Sequence, residues 1–528
     1  MEVGDYYEIA KEETSKQILE RLENTKEAVE NFHAGGVPPA NMKSASVEAG
    51  DGKISITFQE PDDTVVEGQL ICTVAGCMVR IKEGGYPENE RDGDLIVDNK
   101  EPGKYAKSGI EVTGLENGKV YYLSFFPYSD QGLYNYNKAN RRTGKPKGYV
   151  LYGYKINKRD SNPTTRITYT EMAEDFTPAY MDYESGKFNY GSWANAWFVK
   201  ENRPCMVKYD GTIDYYLNPN DYTKKEDGTS SDVANANYGG NAMAVFPLVW
   251  FKRWEDSDYE YVNICDIQLD ETYHAYAHTR EDGSVMEYKL LSMFEGSFIS
   301  SKLRSLSGQA VGVSQTASTE ISYAKANGTL WYTQSFSEWA MIGDLLRLIS
   351  RNDDSQTAFG YGCGNAYEVM STGNLNNKGQ FFGYSAEQNA KNAVKVFHIE
   401  NFWGNVWNRI AGLMNLSGKI YTKEKPPYNT TGSGYKNTGL TLGGTSGGHI
   451  NLTKMLDAGR IGYNAAGSET TYVCDGLWFN NSQVNYALVG GCKGNSTLLG
   501  ALYANLDDAA SCTNRTYGAC LSCEQPAA

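Results

Sequence analysis

The chain is short of positive charge: 49 Lys and Arg stand against 64 Asp and Glu, a net charge of −15. Binding to nucleic acid relies on Lys and Arg neutralising phosphates, and anionic membranes attract basic clusters, so this balance argues against both partners. Long apolar runs are missing too. The longest, Ala242 to Phe251, is interrupted by Pro247 and is too short to span a bilayer. The first residues, MEVGDYYEIAKEETSKQ, hold no apolar signal region and no basic cluster ahead of one, which predicts folding in a cytoplasm. Ten cysteines lie scattered at 72, 77, 205, 265, 363, 474, 492, 512, 520 and 523. That scatter does not read as a secreted disulfide framework, and free, small, semi-buried thiols are expected. No G-x-S-x-G elbow, P-loop or HExxH is present.

Aromatic and turn residues are plentiful: 39 Tyr, 9 Trp and 55 Gly, with abundant Asn and Ser. These are the residues of recognition surfaces, because they give large contact area and adaptable hydrogen bonds. They also suit any β-rich, turn-rich protein. At 528 residues, two to four domains are expected.

The segment 486–523 separates these readings best. Val489-Gly490-Gly491, Gly500-Ala501, Ala509-Ala510, Gly518-Ala519 and Leu521 form a skeleton of small and apolar residues, with unrelated side chains between them. Glycine and alanine permit turns and close backbone packing, so such a segment keeps its shape while the side chains it displays vary. The expected binding face is Lys493, Asn495, Ser496, Thr497, Leu499, Tyr503, Asn505, Asp507, Asp508, Thr513, Asn514, Arg515 and Tyr517. Tyr503 and Tyr517 are expected as anchors and Arg515 as a forked donor. Trp478, Phe479, Asn480 and Asn481 would line or support the rim.

Upstream, three regions are expected. Residues 1–33 read as a polar helix whose Ile18, Leu22, Thr25, Val29 and Phe32 follow coiled-coil spacing, a seam for oligomerisation or attachment. Residues 34–145 alternate apolar and polar in KISITF (53–58), CMVRI (77–81), GIEV (109–112) and VYYLSFF (120–126), punctuated by Asp51-Gly52, Gly84-Gly85 and Asn117-Gly118. That pattern is a small β-sandwich. Residues 146–528 read as short strands with few helices. Ser335 and Glu338 have capping-box spacing before an apolar face of Trp339, Ile342, Leu345, Leu346 and Ile349, and Ala386–Ala393 suggests a short polar helix. The fold class expected is α+β, mainly β.

Several chemistries stand beside plainer alternatives. Cys520-Leu-Ser-Cys523 has half the spacing of a zinc or redox site, but no second pair completes it. His274 and His278 have i, i+4 spacing, which suits a metal on a helix with Asp266 or Asp270 near; the local alternation favours a strand instead. His398 reads as a satisfied core histidine. Glu255-Asp-Ser-Asp258 and Asp353-Asp354 raise glycan cleavage by paired carboxylates, against solvated surface or a structural calcium site.

Two family resemblances sharpen these readings. The run Leu115-Glu-Asn-Gly-Lys-Val-Tyr121 resembles the corner before strand F of fibronectin type III domains, with Phe58 and Pro61 where that family usually has Trp and Pro. The blocks GYKINKRDSNPTTRITY (153–169), MVKYDGTIDYYLNPNDY (206–222), GNAMAVFPLVW (240–250), FSEWAMIGDLLRLISRNDDSQTAFGYG (336–362) and HIENFWGNVWNRIAGL (398–413) come before ALVGG, LGALY and YGACLSC. In that order they resemble bacteriophage tail-tip and tail-fibre proteins carrying a C-type-lectin-like domain of the formylglycine-generating-enzyme type, in many of which diversity-generating retroelements rewrite the terminal segment. Cys520 stands where such proteins commonly have Arg. The resemblance implies a non-enzymatic receptor-binding protein of the virion, assembled in the host cytoplasm. Its partners would be a host-surface protein or glycan and other tail proteins. The heptad seam and the weakness of single contacts lead to the expectation of a homotrimer, and charge and hydropathy to that of no nucleic acid and no membrane insertion; no cofactor is expected. Oxidase chemistry of the enzyme relatives would need two thiols converging on a metal in a groove. A structural virion component, a bacterial adhesin of the same fold and a glycan-cleaving depolymerase are the alternatives.

Overall fold

The computed structural model describes residues 36–385 and 392–527. The expected helix and seam at 1–33 lie outside the described residues, as does 386–391 of the short helix expected at Ala386–Ala393. The fold is mainly β and divides into two compact units, residues 1–149 and 150–528.

In the smaller unit, alternating residues build two antiparallel sheets. One pairs Ser44–Gly50, Lys53–Gln59 and Ile110–Thr113; the other orders Asp94–Asn99, Val74–Glu83, Tyr121–Ser129 and Arg141–Gly144. Ile54, Ile56 and Phe58 of the first face Cys77, Val79, Ile81, Leu123 and Phe125 of the second in one core. That is what period-two patterning dictates when only one face of each sheet is dry. The Tyr121 hydroxyl accepts from the Glu116 amide at 3.0 Å and clamps the corner leading into its strand. Phe58 is buried and meets Phe125 edge-on at 5.5 Å.

The larger unit contains three sizeable sheets, of four, seven and ten strands. The helix Phe336–Ser350 starts at Ser335, whose side chain accepts from the Glu338 amide while the Glu338 carboxylate accepts from the Ser335 amide. The expected apolar face is there, but every residue of this helix is buried, so it is a core element and not an amphipathic surface helix. Its charged residues are paired inside the core, and Asp353, just past its end, joins the same network. Asp344 accepts from Tyr154, Arg253 and Arg347, and Asp353 from Arg347 and Arg460. Asp353 is therefore not solvated surface but locked among arginines, whereas the half-exposed Asp354 caps the helix Ser355–Phe359.

The C-terminal segment threads the two largest sheets. Val484–Val489 pairs with Trp407–Leu416, and Ala504–Leu506 pairs with Val484–Val489 and Gly476–Phe479. Tyr517–Ala519 runs parallel to Trp407–Arg409, and Leu521–Glu524 sits between Tyr288–Ser292 and Trp331–Thr333 in the seven-stranded sheet.

Candidate functional site

The frame of the segment is set by positions that tolerate no side chain. Gly490 and Gly491 both have φ of +80°, and a Cβ on Gly491 would meet Leu499 at 2.5 Å and Tyr503 at 2.6 Å. A Cβ on Gly500 would lie 1.9 Å from a carboxylate oxygen of Asp475, a buried residue that accepts from the Leu502 amide at 2.6 Å. These close approaches bring Leu499 and Tyr503 inward.

Four members of the expected face are therefore corrected. Tyr503 is 0% exposed, its ring centroid is 4.5 Å from that of Trp407, and its hydroxyl accepts from the Trp478 indole at 2.8 Å. It is frame, not anchor, since an aromatic ring gains more from a dry pocket with a partner for its hydroxyl than from display. Leu499 is likewise 0% exposed. Asn505 is buried; it donates to Asp508 at 3.0 Å and accepts from the Asp507 amide at 2.8 Å. Tyr517 is 8% exposed and donates to Asp508 at 2.6 Å, with the Arg409 guanidinium 5.4 Å from its ring centroid. Arg409 donates to Glu320, to the Gln315 carbonyl and to the Cys512 carbonyl at 2.7, 3.0 and 2.6 Å, which fixes the turn ahead of Arg515.

The remaining members reach the surface. Ser496, Thr513, Asn514 and Arg515 are exposed, while Lys493, Asn495, Thr497, Asp507 and Asp508 are half-buried. Asn495 accepts from the Cys492 amide and Asn514 from the Thr516 amide, so both brace their own loops. Of the rim residues, Trp478, Phe479 and Asn480 are half-buried and Asn481 is exposed. Trp478 supports Tyr503 through its indole N–H.

Two of the surface residues converge. Lys493 and Arg515 line one concavity of about 370 Å³ together with Tyr367, Glu368, Val369 and Ser371, over Ala310, Val311 and Val313. Its walls are hung on backbone hydrogen bonds. Ala366 N donates to Lys493 O at 3.0 Å, Ser496 N to Gly364 O at 2.9 Å, and Ser314 N to Asn514 O at 3.0 Å. Lys493 Nζ donates to the carbonyls of Tyr367 and Ala366 at 2.6 and 3.3 Å. Behind this loop the buried Asn405 accepts from Met370 N at 2.8 Å and donates to Glu295. Burial pushes the Glu295 carboxyl up to about 8, against the pull of its Asn405 and Asn401 donors. Tyr367 is 91% exposed, more than any other large hydrophobic side chain among the described residues. Tyr367 and Glu368, with Val311 and Val313, were missed by sequence reasoning. Their signal is weak: an aromatic inside the Gly- and Asn-rich run YGCGNAYEVMSTGN.

The other sequence candidates lie elsewhere. His278 belongs to a short 3-10 turn, Tyr276–His278, and is buried with Nε2 3.2 Å from Phe246 O. His274 stacks on Tyr276. The spacing is thus neither helix nor continuous strand. His398 is buried with Nδ1 2.7 Å from the Tyr222 hydroxyl, as a satisfied core histidine should be. All ten cysteines are free; Cys492 and Cys512 are half-exposed and the rest buried. Burial pushes the thiols of Cys520 and Cys523 up to about 12. Among the described residues no group of three or more His, Cys, Asp or Glu side chains is placed to hold a metal. A larger concavity of about 500 Å³, lined by Ile321, Tyr332, Pro426, Pro427 and Tyr428 with Glu281 and Lys325, contains none of the expected face.

No protein-family model matches the chain, and no curated protein matches it. Among solved structures, the twitchin kinase region of C. elegans overlaps 44% of this chain at 10% identity with a TM-score of 0.14, and the chain covers 40% of that neighbour's length. A score this low carries no argument about fold or function.

Proposed function

We propose that this protein is the receptor-binding protein of a phage virion and attaches the particle to the bacterial surface through the face around Lys493, Ser496 and Arg515. On this reading residues 150–528 form a C-type-lectin-like domain, the smaller unit is a fibronectin type III-like spacer, and the N-terminal 33 residues join copies into a trimer and to the tail. Trimeric presentation multiplies weak contacts through effective concentration. The order of sequence blocks in the larger unit and the Tyr121 corner of the smaller one support these assignments.

One observation carries the reading. Within a single short segment, Leu499, Tyr503 and Gly500 are locked into the core while Ser496, Thr513, Asn514 and Arg515 project outward. Exchange of the second group is expected to leave the packing of the first untouched, which is what a surface selected for new partners requires. The test is competition: purified full-length protein, added in excess to host cells, is expected to block adsorption of the intact phage. Undiminished adsorption at saturating protein would remove the attachment role and favour a structural component of the particle.

A further inference from the structure

The geometry points to a carboxylate-bearing sugar, such as a uronate unit of a surface glycan, as the ligand of the concavity between Lys493 and Arg515. This rests on the attachment reading above and names the chemistry of that site.

Charge comes first. The chain carries a net charge of −15, and many of its arginines are consumed internally: Arg253, Arg347, Arg409 and Arg460 all sit in buried ion pairs. Arg515 differs. It is exposed at the wall of a concavity and has no hydrogen-bond or ion-pair partner among the described residues. A guanidinium fork is shaped for two parallel bonds to a carboxylate. On the same lining, Lys493 has two protons committed to the carbonyls of Tyr367 and Ala366, so its position is set and a third proton is left for a ligand.

The remaining groups distinguish a sugar from other anions. The Tyr367 ring, 91% exposed at the mouth, offers an apolar plate of the kind that stacks on the C–H face of a pyranose. Glu368 lines the same cavity. Its carboxylate accepts hydrogen bonds from sugar hydroxyls, as does Ser371, and disfavours a second carboxylate on its side of the cavity, which a poly-acidic peptide brings and a single uronate held by Arg515 does not. A volume of about 370 Å³ falls at the low end of small-molecule sites and suits a short saccharide better than an extended chain.

The experiment titrates full-length protein with a glucuronate-terminated disaccharide, its glucose-terminated counterpart and a poly-glutamate peptide, read by calorimetry or saturation-transfer NMR. Arg515→Gln and Tyr367→Ala are titrated in parallel. Both positions are exposed, and the melting temperature of each variant verifies folding. The uronate is expected to bind at least about tenfold more tightly than the neutral sugar, and Arg515→Gln to erase about that factor, as loss of a charge-assisted hydrogen bond should. Tyr367→Ala is expected to weaken both sugars together. Equal affinity for the two sugars, undiminished uronate binding by Arg515→Gln, or preference for the peptide would overturn the assignment. Adsorption blocking is scored separately. Protein that blocks adsorption yet ignores uronate refutes the sugar class alone; protein that binds uronate yet fails to block adsorption refutes attachment alone.

Discussion

Replacing Arg409 with Met tests whether the display surface depends on a buried clamp. Arg409 and Glu320 have side chains 2% and 1% exposed and meet at 2.7 Å, and the second oxygen of Glu320 has no hydrogen-bond partner. Met fills similar volume but strands the carboxylate and frees the carbonyls of Gln315 and Cys512. Removing one partner of a buried pair costs about 3–5 kcal/mol. The loss should depend on pH in a definite direction. Burial pushes the Glu320 carboxyl up to about 7 and Arg409 opposes that rise, so without Arg409 it lies higher still. A carboxyl raised in the fold keeps its proton while the unfolded chain releases its own, so stability falls as pH rises from about 4.5. The deficit of Arg409→Met is therefore larger at pH 8 than at pH 5. All nine tryptophans lie in residues 150–528, so urea unfolding followed by Trp fluorescence reports the larger unit alone. The double variant Arg409→Met, Glu320→Leu should recover about 2 kcal/mol of the loss, because the stranded charge is gone. An unchanged urea midpoint for Arg409→Met at both pH values would refute the clamp.

Two other outcomes follow from particular residues. Gly500→Ala drives a methyl into the Asp475 carboxylate and should lower stability by several kcal/mol or prevent folding, whereas Gly494→Ala, whose Cβ meets nothing within 4 Å, should leave the urea midpoint within about 0.5 kcal/mol of wild type. Burial lowers the His278 imidazole from 6.5 to about 4, helped by the Lys289 charge, so the fold holds it neutral while the unfolded chain takes up a proton. Stability from this group is complete above pH 6.5 and lost progressively toward pH 4, about 3 kcal/mol in all, and His278→Asn should flatten that part of the pH–stability curve.

Local features were legible in the sequence. Ser335 and Glu338 announced the start of the central helix because a capping box is a contact within three residues, and the strands of the smaller unit announced themselves by alternation. The glycines of the C-terminal frame were legible for the same reason. What failed was the sorting of side chains between frame and face. Tyr503 is buried by Trp407 and Trp478, and Tyr517 is held by Asp508 and Arg409, partners brought near by strands as short as Ala504–Leu506. Three-residue strands give periodicity no room to show which face is wet. The loop bearing Tyr367 joins the site through backbone hydrogen bonds, which leave no mark in side-chain identity.

A fixed frame whose exchangeable outward groups meet a host is tested by one substituted protein. Ser496, Thr513 and Arg515 are changed together to Ala in the intact particle, and both the melting temperature of the purified protein and host adsorption are measured. An unaltered fold, with melting within about 2 °C of the parent, together with loss of adsorption is the predicted result. Full adsorption by particles carrying the folded variant would contradict it.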